Sequence, residues 1–123
     1  MVSIKGPIPK CSRLLTATLT AAVVVAGCAS LEELAPLVGE EAVRLAESEG
    51  IDPQRIEGGR AIYVTQCARC HTPERVGRYS AAKWHQTLPR MTPRAKLTPQ
   101  EAADLEAYIM PTLGVVRAAS AVD

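Results

Sequence analysis

A chain of 123 residues has room for one small domain, and with no Phe, one Trp and three Tyr it lacks the aromatic volume of an ordinary core of that size. Apolar side chains make up 47% of it, which excludes disorder throughout. The formal charge of +1 is the sum of an acidic stretch and a basic one, not of an even mixture.

Residues 1–27 carry Lys5, Lys10 and Arg13 ahead of an apolar run from Leu14 to Ala26 that ends in small residues. This is the layout of a targeting sequence, and the run is too short for a comfortable transmembrane span. The four residues Val25-Ala26-Gly27-Cys28 resemble the lipobox of bacterial lipoproteins. That resemblance implies cleavage before Cys28 and a diacylglyceryl group on its sulfur. Ala29 stands where an Asp would mark inner-membrane retention, so the same resemblance implies an outer-membrane anchor facing the periplasm. Acyl chains contribute roughly 0.8 kcal/mol per buried CH₂, so several of them would hold the protein on a bilayer. An ordinary cleaved signal peptide, or an uncleaved anchor, with Cys28 incidental, is the plainer alternative. In either case the domain is exported, and nucleic acid is not an expected partner.

From residue 28 to 53 the chain is acidic, with Leu34, Leu37 or Val38, Val43 and Leu45 near helical spacing but interrupted by Pro36 and Gly39. It reads as a broken helix or tether that spaces the domain from the membrane. Gly50 and Asp52-Pro53 supply turn chemistry and mark the expected domain boundary, leaving 54–113 as the domain proper. Asp52 is placed to cap a helix with Pro53 at its first position. On that helix Ile56, Gly59, Tyr63 and Cys67 share a side, with Ile62 beside them, and its end delivers Cys67-Ala68-Arg69-Cys70-His71. Residues 72–77 form a loop. Ser80 then caps a helix predicted over 81–88, with Trp84 and Leu88 on one face. Pro89 breaks that pattern, and Met91 is bracketed by Pro89 and Pro93. Thr98-Pro99-Gln100-Glu101 has capping-box spacing with proline at the first helical position. Ala102, Leu105 and Ile109 line one side of this last helix, Tyr108 lies beside them, and Pro111 is expected to close it. Residues 114–123 show no periodicity and are expected to be a loose tail. With no repeats and no alternating strands, the fold class is all-α.

The run Cys67-x-x-Cys70-His71 is the haem c attachment signature, and on it the chain resembles the c-type cytochromes. The resemblance implies a small cytochrome c-like helical domain around one covalently bound haem c, with Cys67 and Cys70 in thioether bonds to the vinyl groups and His71 on the iron. A large flat apolar group wrapped by Leu, Val, Ile and Ala would also make up the aromatic deficit. Two other uses of a Cys-x-x-Cys pair fit less well. A thioredoxin-like dithiol belongs near a βαβ pattern, which is missing, and a structural zinc site needs four ligands, whereas no second Cys or His pair follows. Cys67 and Cys70 belong to the motif and Cys11 and Cys28 to the export region, so no pair remains for a structural disulfide.

Gly59-Arg60-Ala61-Ile62-Tyr63 ahead of Cys67 resembles the N-terminal helix of cytochromes c, where a small residue lets the last helix cross closely. Tyr108 against Gly59 is the implied contact here. Taken alone, Gly59 is only a helix-weakening residue, by about 1 kcal/mol relative to Ala. The sequence Trp84-x-x-x-Leu88-Pro89-Arg90-Met91, followed by Leu97-Thr98 and Glu101, resembles small bacterial c-type domains and implies Met91 as the second axial ligand. The residues by themselves leave Met110, His85 and an open or water-bound position as alternatives, or Met91 as an ordinary core methionine. Reach is no obstacle. Of the twenty steps from His71 to Met91, eight in a helix advance only ~12 Å, while the other twelve stretch to ~40 Å. The connection is shorter than in mitochondrial-type proteins, which implies an exposed haem edge.

Loss of residues 1–27 removes three cations and no anion, taking the net charge from +1 to −2. Residues 32–57 hold eight acids against Arg44 and Arg55, and residues 60–96 hold eight bases against Glu74. The haem-bearing part is thus basic. Arg78 or Arg90 is the expected partner of a haem propionate, and the other cations would steer an acidic redox partner. The expected function is single-electron transfer between exported redox proteins by a lipid-anchored monohaem cytochrome, with no small-molecule substrate and no enzyme chemistry. The rival readings are a haem enzyme or gas-binding sensor with an open or displaceable sixth position, and a thiol or metal lipoprotein without haem.

Overall fold

A computed structural model describes residues 30–122. The export segment and Cys28 lie outside the described residues. The chain is all-α: α1 (Leu31–Leu34), α2 (Glu40–Ser48), α3 (Pro53–Thr65), α4 (Ala81–Met91) and α5 (Pro99–Ser120), with single 3₁₀ turns at Cys67–Arg69 and Val76–Arg78. No strand occurs among the described residues.

Helix starts are set by side chains that take up backbone N–H groups otherwise left without partners. Asp52 accepts from the Gln54 N–H ahead of Pro53, and Ser80 accepts from the Lys83 N–H. Thr98 and Glu101 form a reciprocal capping box. The Thr98 backbone N–H and hydroxyl both donate to the Glu101 carboxylate, which holds its pKa below the usual range. A further box, Ser30 with Glu33, starts α1.

The long helices α3 and α5 cross at Gly59. A Cβ there would come to 2.7 Å from Tyr108 Cβ and into the Asp104 carbonyl, so the expected meeting of Tyr108 with Gly59 is present. Arg55 Nε donates to Asp104 Oδ1 at 2.7 Å beside the crossing. Ile56, Leu105, Tyr108, Ile109 and Val76 are the largest fully buried side chains.

Three expectations about extent are corrected. Residues 31–51 do form a broken helix, interrupted at Pro36 and Gly39, but they are packed into the domain and are not a spacer. Ala35, Ala42 and Ala46 are buried, Arg60 Nε donates to the Ala35 and Pro36 carbonyls, and Tyr108 Oη donates to the Pro36 carbonyl at 2.8 Å. Small alanine faces let α2 approach α5 closely, and Asp52-Pro53 becomes a turn between packed helices. Second, α4 runs through Pro89 to Met91. The only bond Pro89 forfeits is to the carbonyl of His85, on the exposed side of the helix, where water can serve it. Third, α5 runs through Pro111 to Ser120, so most of the expected loose tail is helical. Pro111, Thr112 and Leu113 are buried, Val116 packs on Gly77, and Arg117 reaches the Tyr79 carbonyl at 3.4 Å. This packing outweighs one missing helical hydrogen bond.

Beyond Met91 the chain keeps a helical course. Ala95 N–H donates to Met91 O, Lys96 N–H to Pro93 O and Leu97 N–H to Thr92 O at 2.9, 3.1 and 3.0 Å, with Lys96 at φ 56°. This is a Schellman closure with lysine in the left-handed position that glycine prefers. Lys96→Gly is expected to stabilise the domain by about 0.5–1 kcal/mol, read as a raised urea midpoint; a lowered midpoint would contradict that reading of the turn.

Candidate functional site

The last turn of α3 leads directly into the 3₁₀ turn at Cys67–Arg69, through Gln66 N–H to Ile62 O at 2.8 Å and Arg69 N–H to Gln66 O at 3.3 Å. This continuous hydrogen bonding sets Cys67 on the buried side of the helix line, half-covered, and leaves Cys70 and His71 exposed. Both cysteines are free thiols. Burial pushes the Cys67 thiol pKa up, so it is held as the protonated thiol.

His71 Nδ1 lies 2.9 Å from the Thr72 carbonyl. A carbonyl oxygen only accepts, so this bond needs a proton on Nδ1, and in the neutral imidazole that tautomer puts the lone pair on Nε2. A second hydrogen bond of this kind is what orients a metal-binding imidazole.

Cys67, Cys70 and His71 border a cavity of about 320 Å³, and so does Met91, twenty residues further on. Tyr63 from α3, Trp84 and Leu88 from α4 and Leu105 from α5 form its buried wall. Trp84 Nε1 donates to the Val76 carbonyl at 2.9 Å and Tyr63 Oη donates to the Glu74 carbonyl, so the loop after His71 is tied to the wall at two points. The rings of Tyr63 and Tyr79 stand edge-on to Trp84, with centroids at 6.1 and 5.3 Å. Desolvation drives the Tyr63 phenol pKa far upward, and burial pushes that of Tyr108 up to about 12, so both stay neutral at physiological pH. Among the described residues Glu74 is the one carboxylate and Arg94 the one guanidinium on the lining.

The donor set fits a haem: two thiols for the porphyrin, an imidazole with Nε2 available and a thioether, facing one largely apolar cavity. A protein-only zinc site fits poorly, because among the described residues no three His, Cys, Asp or Glu side chains cluster as metal ligands.

The alternatives to Met91 lie elsewhere. His85 is on the exposed face of α4 with Nδ1 3.2 Å from Glu106 Oε1, and Met110 is half-buried and packed against the core. Neither borders the cavity. Of the arginines, Arg78 and Arg90, the expected propionate partners, are exposed and off the lining, whereas Arg94 is on it. Arg94 does not stand out in the sequence because Pro89 is expected to break the helix there; with the helical course continued past Met91, i+3 spacing from it points to Arg94.

Comparison of the chain with protein-family models, with curated proteins and with solved structures finds no match.

Proposed function

We propose that this protein is a monohaem c-type cytochrome, tethered to an exported membrane face through Cys28, that passes single electrons between redox proteins. The observation that carries this reading is the convergence of Cys67, Cys70, His71 and Met91 on one apolar cavity from separate parts of the chain. In it, Cys67 and Cys70 would hold the porphyrin by two thioethers, and His71 Nε2 and the Met91 sulfur would be the residues that bind the iron. Tyr63, Trp84, Leu88 and Leu105 keep water from one side, while the open side leaves an edge for a partner. When bound, the haem supplies the reversible one-electron chemistry. The lipid anchor rests on Val25-Ala26-Gly27-Cys28. Cys28 is only two residues from the cap of α1, so acyl chains there would hold the packed domain close to the bilayer.

The test is a pyridine haemochrome spectrum of the full chain made in an exporting host with haem-ligation machinery. Haem that survives acidic solvent extraction is expected for the wild type, and none for Cys67→Ser/Cys70→Ser. Colourless wild-type protein with both thiols open to alkylation would sink the proposal.

A further inference from the structure

Among the described residues Arg94 is the one lysine or arginine on the cavity lining. It lies one helical turn past Met91 in the Schellman-closed segment, so the hydrogen bonds from Ala95 to Met91 and from Leu97 to Thr92 hold both residues in one register. Arg44 is engaged by Glu40 and Glu41, Arg55 by Asp104, Arg75 by Glu33 and Arg60 by two carbonyls, while Arg69, Arg78 and Arg90 lie off the cavity lining. Among the described residues the Arg94 guanidinium has no such ion pair, and its planar fork is open to a carboxylate.

We infer that Arg94 is the positioning residue of this site, its guanidinium clamping a carboxylate of the bound cofactor against the cavity wall. This rests on the haem reading, since the carboxylates are haem propionates. A propionate in a mostly apolar cleft is costly to bury unless it is paired. Arg94 pairs it and fixes which way the porphyrin lies relative to Met91. The other titratable groups on the lining are Glu74 and Tyr79, the buried Tyr63, and the three motif residues Cys67, Cys70 and His71. Once the motif residues are bonded to the cofactor, Glu74 is the carboxylate that competes for Arg94.

The experiment uses the full chain with haem loading verified for each variant by pyridine haemochrome, and follows the midpoint potential from pH 4 to 9. A propionate that ionises favours ferric iron, so the potential falls as pH rises through its pKa. An adjacent guanidinium lowers a carboxyl pKa by about one to three units. The fall is therefore expected low in the range for the wild type and about one to three units higher in Arg94→Gln. Arg94→Lys should restore most of the wild-type curve, and Arg90→Gln should leave it unchanged. In Arg94→Gln/Glu74→Gln the displaced fall should persist. An Arg94→Gln curve that superimposes on the wild type, an Arg90→Gln curve that carries the shift, or a fall that vanishes with Glu74 each overturns the assignment. If Arg94→Gln takes up no haem, Arg94→Lys decides: a fall displaced upward by a fraction of a unit supports the clamp, and an unchanged curve overturns it. Wild-type protein without haem overturns both this inference and the reading beneath it, whereas haem-loaded wild type with an unresponsive Arg94 overturns this one alone.

Discussion

Gly59→Val is expected to abolish stable folding, while Gly58→Ala, one residue away, is expected to stabilise the domain. At Gly59 a Cβ runs into the Asp104 carbonyl and Tyr108 Cβ, which are parts of α5 that cannot swing aside. At Gly58 a Cβ meets nothing within 4 Å. Accommodating a side chain at Gly59 means moving α5 off α3, which strips contacts from Ile56, Leu105, Tyr108 and Ile109 and parts Arg55 from Asp104. Overpacking alone costs about 1–3 kcal/mol, and the loosened core adds to that, against a total stability of only about 5–15 kcal/mol for a small domain. Gly59→Ala should lose less, since about 1 kcal/mol of helix propensity returns. The same propensity term is nearly the whole effect at Gly58, with the opposite sign. Urea titrations of the three variants followed by circular dichroism check this, and equal stability of Gly58→Ala and Gly59→Ala would remove the close crossing.

The second large effect is expected at Met91. In haem-loaded protein, Met91→Ala should lower the reduction potential by about 0.1 V or more, out of the roughly 0.8 V that axial ligation spans. It should also remove any absorption band due to sulfur on ferric iron and allow carbon monoxide to bind the reduced form at neutral pH. The direction follows from the thioether, which favours ferrous iron more than the water that replaces it. Met91 is only half-buried at the end of α4, so the truncation leaves the fold in place and the spectra interpretable. Met110→Ala and His85→Ala are the controls, because neither side chain borders the cavity. Spectra and potential unchanged in Met91→Ala would take Met91 off the iron.

Much of the local architecture was legible. Asp52, Ser80 and Thr98 each begin a helix where the sequence places one, because a cap is a bond between a side chain and backbone two or three residues on. The Gly59–Tyr108 meeting was legible through resemblance alone, since nothing in helical spacing says which helix a glycine will face. The resemblance likewise implies that Cys67, Cys70, His71 and Met91 meet, and all four border one cavity. The ends of α4 and α5 were not legible, because proline's local penalty says nothing of what offsets it in the folded chain. In α4 that penalty falls on an exposed carbonyl, and in α5 the burial of Pro111, Thr112 and Leu113 outweighs it.

By itself, then, the amino-acid order determined what short-range chemistry determines: where helices start, that the fold is all-α, and that two thiols and an imidazole stand together in one five-residue run. Tertiary structure alone decided that residues 31–51 belong to the domain, that helices continue through Pro89 and Pro111, and that Arg94, not Arg78 or Arg90, borders the cavity. The physical reason is the range of the forces. A cap or a Cys-x-x-Cys-His run is complete within five residues, whereas Leu45 beside Gly114 of α5, or Tyr108 Oη on the Pro36 carbonyl, is a contact between segments whose meeting only the folded chain brings about.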